Sequence, residues 1–195
     1  MLTILLIAVT TLISLAALYV VPRWFDKGLL RPYRVMRTNS WYELFTSGFL
    51  HAGMTHLFVN MFVLFFFGTE LERMIGSFDL LVLYLSGVVV SSLPTLVRFH
   101  SDPHYATLGA SGAVGSVLFG YIYLNPTESL ILILFPVPIP AWLFGILYLL
   151  YSFYESKQRR GKVNHGAHIA GALWGILYLL FFSTESGISL RSLLM

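Results

Sequence analysis

The chain has 195 residues, of which 57% are hydrophobic and 11% charged, with 12 Lys plus Arg against 9 Asp plus Glu and a mean hydropathy of +0.77. Against the roughly 25% of charged residues in an ordinary soluble domain, these charges are too few to solvate a globule, which argues against a water-soluble protein. The net charge of +3 is read as contact with anionic lipid headgroups rather than with nucleic acid, and the absence of cysteine removes disulfides and thiol chemistry.

Marking the charges leaves six uncharged, mostly apolar runs: 1–22, 44–69, 80–97, 103–127, 129–154 and 163–184. Runs of this length predict transmembrane helices, near residues 2–22, 54–70, 80–98, 109–125, 139–155 and 164–183. Because backbone groups in lipid must be satisfied within the segment, and runs this continuous are unlike alternating barrel strands, the expected fold is an all-α, six-helix polytopic membrane bundle forming one domain over 1–195. The first run has no basic segment before it and no small-residue cleavage site after it, so it reads as a retained anchor. The long first loop carries Trp24, Trp41 and Tyr42, aromatics that favour the membrane interface.

Span two brings His51, His56 and Asn60, and the spacing of four places His56 and Asn60 on one helix face. Span four contains Gly109-Ala110-Ser111-Gly112, where the glycines predict a helix start at Ser111. From there to Asn125 a helix rises about 21 Å, against a hydrocarbon thickness of about 30 Å, which sets Ser111 on the order of 10 Å below one surface. Span five follows Phe135-Pro136-Val137-Pro138-Ile139-Pro140, so its helix is expected to begin near Pro140 and to run to about Tyr154. Span six opens with Asn164, His165 and His168, then Gly171 and Gly175 in a G-x-x-x-G pattern; with Gly112, Ser116 and Gly120 of span four this permits close helix approach.

Alternation of direction puts the starts of spans two, four and six on one face, with their polar groups at similar depth. Singly, the Gly-Ala-Ser-Gly stretch reads as packing, His168 as an interhelical hydrogen bond and Asn60 as glue. Jointly they supply the parts of a hydrolase. A serine hydroxyl needs a base within reach to become nucleophilic, and attack on a carbonyl needs donors for the developing oxyanion. Ser111 with His168 meets the first need; His56, Asn60 and the Ser111 amide meet the second. No Asp or Glu lies in any of the six uncharged runs, so the reading is a dyad. A zinc site would need H-E-x-x-H and an aspartyl site paired aspartates, neither of which occurs; no metal or cofactor is implied. A histidine proton relay in a transporter is the other membrane chemistry these residues could serve.

His56-Leu57-Phe58-Val59-Asn60, Gly109-Ala110-Ser111-Gly112 and Ala167-His168-Ile169-Ala170-Gly171 resemble the H-x-x-x-N, G-x-S-G and A-H-x-x-G motifs of the rhomboid intramembrane serine proteases, in the same order and on the same spans. The resemblance, from Trp41 through span six, implies Ser111 as nucleophile, His168 as base and then acid, and His56 with Asn60 as oxyanion donors. It also implies that His51, Gly109, Gly112 and Gly171 shape the site, that loop one lies partly in the membrane, and that span five with loop five forms a gate and cap. Substrates would be single-span or multi-span membrane proteins in a cell (inner) membrane; the alternative is a non-catalytic relative that binds client helices.

Two positions depart from the family pattern. Gly115 stands where many members place an aromatic that stacks on the histidine, and Trp41-Tyr42 replaces the frequent Trp-Arg. Orientation draws opposite expectations: ten basic residues flank the site's face, which the positive-inside rule makes cytoplasmic, whereas the family implies an extracytoplasmic opening.

Overall fold

The structure is a computed structural model and describes residues 1–132, 135–158 and 163–183; Arg159, Arg160 and Lys162, three of the ten basic residues on the site's face, and most of loop five lie outside the described residues. Helix α1 (Leu2–Leu15) extends through a π-helical turn at Ala16–Val20. Three short helices fold loop one: α2 (Arg23–Gly28), α3 (Pro32–Thr38) and α4 (Glu43–Thr46). Then come α5 (Met54–Val63) with a π-helical turn at Leu64–Gly68, α6 (Thr69–Phe99), α7 (Ser111–Leu124), strands β1 (Ser129–Leu132) and β2 (Phe135–Pro140), α8 (Ala141–Gln158) and α9 (His165–Phe181).

Helix thus occurs within each predicted span. Among the described residues two helical stretches, Leu2–Val20 and Met54–Phe99, are long and apolar enough to cross a membrane, and Ser111–Leu124 and His165–Phe181 are shorter apolar helices. Between spans two and three the helical path breaks at Gly76, whose φ of 77° and ψ of 162° are non-helical values that only glycine adopts readily, so Thr69–Phe99 is two helices meeting at a kink in the charged stretch where the connection is expected. The charges there are satisfied locally. Arg73 pairs with Glu70 at 2.7 Å, Glu72 accepts from Thr3 Oγ1 and Ser77 Oγ at 2.7 Å each, and Asp79 accepts from Ser183 Oγ at 2.9 Å.

The all-α expectation is corrected by an antiparallel hairpin that pairs Leu130 with Ile139 and Ser129 with Pro140. Prolines 136, 138 and 140 lack N–H groups and cannot form a helix interior. At every second position of a strand their missing donors fall on one edge, away from the partner, where nothing has to be paired.

Loop one is organised around a fully buried carboxylate. Glu43 accepts from the Arg31 amide at 2.8 Å and from Ser40 Oγ at 2.6 Å, and it pairs with Arg34, whose guanidinium also reaches the Asp26 and Lys27 carbonyls. This network closes α2, α3 and α4 into one folded unit.

Packing runs opposite to that of a soluble helix protein. The inward face of α1 carries Thr3, Thr10 and Ser14, while Leu5 and Leu12 point out; α8 likewise exposes Trp142, Ile146 and Leu150. At the centre, α7 is buried over Gly112–Gly120 between α6 and α9. Its neighbours approach through glycine: a Cβ on Gly171 would overlap the Gly112 carbonyl, one on Gly175 the Ser116 carbonyl, and one on Gly112 the Ser91 side chain. Trp174 Nε1–H donates to Ser86 Oγ at 2.9 Å and ties α9 to α6.

Gly175→Val is therefore expected to lower unfolding stability by about 1–3 kcal/mol through overpacking, read by denaturant titration in mixed micelles. Leu173→Ala, at an exposed position of the same helix, should stay within about 0.5 kcal/mol.

Candidate active site

The start of α7 is set by the backbone before it. Gly109 has a φ of 125°, outside the range L side chains adopt, and its amide donates to the Ser47 carbonyl at 3.0 Å. That turn points the chain into α7 with Ala110 as N-cap and Ser111 as the first helical residue. The first amides of a helix have no intrahelical acceptor, so the Ser111 hydroxyl lies beside free N–H groups at the positive end of the helix dipole.

On α9, Asn164 caps the helix by accepting from the Ala167 amide at 3.2 Å and is itself held by donating to Thr95 Oγ1 at 2.7 Å. One turn on, His168 Nε2 lies 2.8 Å from Ser111 Oγ. The close passage of Gly171 over Gly112 brings a short serine side chain and an imidazole ring within this distance.

His56, on the first turns of α5, packs its ring on Gly109. A Cβ at Gly109 would stand 2.8 Å from His56 Cε1, 3.0 Å from its Nε2 and 3.8 Å from Ser111 Oγ. The Ala52 amide donates to His56 Nδ1 at 3.4 Å, which leaves Nε2–H as a donor at the edge facing Gly109. Asn60 is buried, and its Nδ2 donates to the His56 carbonyl at 2.8 Å, so one amide proton holds its own helix turn and the second is left for another acceptor.

His51 is fully buried. Its Nε2 accepts from the Ala110 amide at 3.4 Å, which makes Nδ1–H the donor to Ser14 Oγ at 2.8 Å, and that hydroxyl donates onward to the Phe49 carbonyl. The ring edge also meets His56 at a centroid separation of 4.9 Å. A chain of hydrogen bonds thus runs from α1 to the residue before Ser111.

The structure therefore gathers Ser111, His168, His56, His51, Gly109, Gly112 and Gly171 at one end of the bundle, with Asn60 one turn below His56. Sequence reasoning overlooked two supports. Ser14 belongs to the buried polar stripe of α1. Tyr148 belongs to a stripe on α8, with Tyr151, Ser152 and Glu155 at spacings of three and four, and its ring lies nearly parallel to His168, 20° between planes and 6.3 Å between centroids. A count of polar residues at helical spacing within those runs would have found both.

The described residues thus form a helical bundle with an apolar exterior and, at one end, a serine and a histidine in hydrogen-bond contact. The Rhomboid domain family model matches residues 38–185, and the chain belongs to the rhomboid family, a family of membrane proteins. Relatives include mitochondrial Rhomboid protein 1 of Saccharomyces cerevisiae (34% identical over 142 residues, 70% of this chain and 40% of the relative) and mitochondrial RHOMBOID-like protein 12 of Arabidopsis thaliana (34% over 146 residues, 67% and 43%). A Bacillus subtilis protein carried as a candidate rhomboid protease, YdcA, is 36% identical over 86 residues, 44% of this chain and 42% of that protein. The chain spans about two fifths of the length of these relatives.

Two glycines separate strain from space. Gly109→Ala, at a positive φ and against the His56 ring, should cost about 1–3 kcal/mol, whereas Gly53→Ala, with extended backbone and nothing within 4 Å, should be neutral within about 0.5 kcal/mol in the same titration.

Proposed function

We propose that the protein is an intramembrane serine endopeptidase acting by a Ser111–His168 dyad on single-span or multi-span membrane proteins. The observation that carries this reading is the 2.8 Å contact between His168 Nε2 and Ser111 Oγ at the start of a buried helix. In this reading the six helical segments cross a cell inner membrane, and the helix that carries Ser111 ends well below one surface.

The steps follow from the positions of the groups. His168 Nε2 takes the proton of Ser111 as its Oγ attacks the substrate carbonyl. Negative charge then develops on the carbonyl oxygen, beside the free amides at the start of α7 and the Nε2–H edge of His56, with the Asn60 amide one turn further. The protonated imidazole hands its proton to the leaving amine, and the C–N bond breaks to give an acyl ester on Ser111. Water, deprotonated by the same nitrogen, hydrolyses the ester and restores the serine. Gly109 lets the His56 ring approach, while Gly112 and Gly171 let α9 approach; a side chain at any of the three displaces a participant.

The test is labelling by a serine-reactive fluorophosphonate together with cleavage of a co-reconstituted single-span substrate. Ser111→Ala and His168→Ala are expected to abolish both, with thermal unfolding unchanged. His56→Ala should keep labelling by the smaller probe detectable but lower kcat by about 10²–10³-fold, as loss of an oxyanion donor does. Normal cleavage by Ser111→Ala would overturn the assignment of the nucleophile, and a wild-type chain that binds the substrate helix but neither labels nor cleaves would leave a client-binding protein.

A further inference from the structure

His168 has a single side-chain hydrogen bond among the described residues, the one to Ser111. A base held at one atom can still swing about that contact, so the plane of the imidazole has to be fixed by packing. The neighbouring turn of α7 supplies nothing for this. Gly115 has no side chain, and a Cβ built there would rest 3.7 Å from the His168 carbonyl oxygen, against the backbone of α9 rather than on the ring.

Two rings border the imidazole instead. His165, one turn earlier on α9, meets it edge-on at 5.7 Å and 70°. Tyr148 covers its face from α8, in the offset, near-parallel arrangement that aromatic pairs favour at separations of about 4.5–7 Å. Tyr148 is itself wedged. Phe119 of α7 lies 5.4 Å away, Phe144 lies 6.0 Å away on the preceding turn, and beside them a Cβ at Gly145 would sit in ordinary contact with Phe119 and Ile122.

We propose that Tyr148 is a positioning residue for the reaction: its ring, carried by α8, fixes the plane of His168, so that the base is in register with Ser111 only while α8 is docked on α7 and α9. This rests on the dyad assigned above. The ring, and not the hydroxyl, does the work, because what faces His168 is the aromatic plane. Tyr148 touches neither the nucleophile nor the scissile bond, and its effect falls on turnover rather than on substrate binding.

The experiment uses the full chain in lipid nanodiscs with two independent readouts. The first is kcat and KM for a single-span substrate. The second is the ring-current shift on the C–H protons of His168 in NMR spectra, identified by comparison with His168→Ala. Tyr148→Leu is expected to lower kcat on the order of 10-fold or more, as misplacement of a reacting group does, with KM within about twofold, and to change the His168 C–H shifts by removing the Tyr148 ring current, while the edge-on His165 ring keeps its own. Tyr148→Phe should preserve both, and Leu150→Ala, on the outward face of α8, should alter neither. Should Tyr148→Leu fail to fold, Tyr148→Met fills the same space without a ring and carries the same expectations. Wild-type kcat in the Leu or Met variant overturns the positioning role, as do His168 C–H shifts left unchanged by loss of the Tyr148 ring. A wild-type chain that neither cleaves nor labels overturns the dyad instead, and the shift then judges the stacking by itself.

Discussion

The contact on which the rest of the structure depends is the passage of α9 over α7 at two glycines. In lipid, helices gain nothing from hiding apolar surface, since the tails outside are as apolar as leucine; close backbone packing and hydrogen bonds have to hold the bundle. Gly171 on Gly112 and Gly175 on Ser116 bring two backbones together over two turns. That approach fixes the separation of Ser111 from His168, so packing and chemistry are determined by the same residues. The other elements serve this pair: α6 fills behind α7 with Gly87, Ser91 and Thr95, and Asn164 sets the start of α9 against Thr95.

Around this centre the polar groups form a sequence of hydrogen bonds rather than scattered pairs. Ser14, His51 and the Ala110 amide link the first helix to the turn that presents the nucleophile. Glu43 gathers three short helices that precede α5, and Ser47, at the end of that unit, accepts from Gly109. Loop one is therefore a structural buttress for the end of the bundle that holds Ser111. Its arginines at 31 and 34 are engaged with Glu43, Asp26 and backbone carbonyls, so these two cations are components of a fold and not a free basic patch.

The positions of the helices were legible because an uncharged run of eighteen or more residues has few other meanings. The start of α7 at Ser111 was legible from its glycines, and the start of α8 from its prolines. The proximity of Ser111 to His168 could be anticipated because small-residue stripes and polar clusters shared one side. The break at Gly76 was legible too, since it falls between spans two and three in the charged stretch from Glu70 to Asp79. The strand pairing before α8 was not legible, for a physical reason. The proline-rich approach to α8 shows only that helix is forbidden; that it pairs with Ser129–Leu132 is a long-range property that residue types do not state. Tyr148 was legible as part of a polar stripe on α8, but that its ring meets His168 is again a long-range property.

The 14 residues of α7 also act as a ruler. One end of the helix is followed directly by the hairpin and the other by the nucleophile, so the depth of Ser111 is a matter of counting residues, at about 1.5 Å each. Under the proposed reading, the distance from the bilayer surface at which a client chain is cut is built into the length of one buried helix. Selection of the bond is then partly a measurement of position, made before any side chain of the client is recognised, and one extra helical turn would shift the cut by about 5.4 Å.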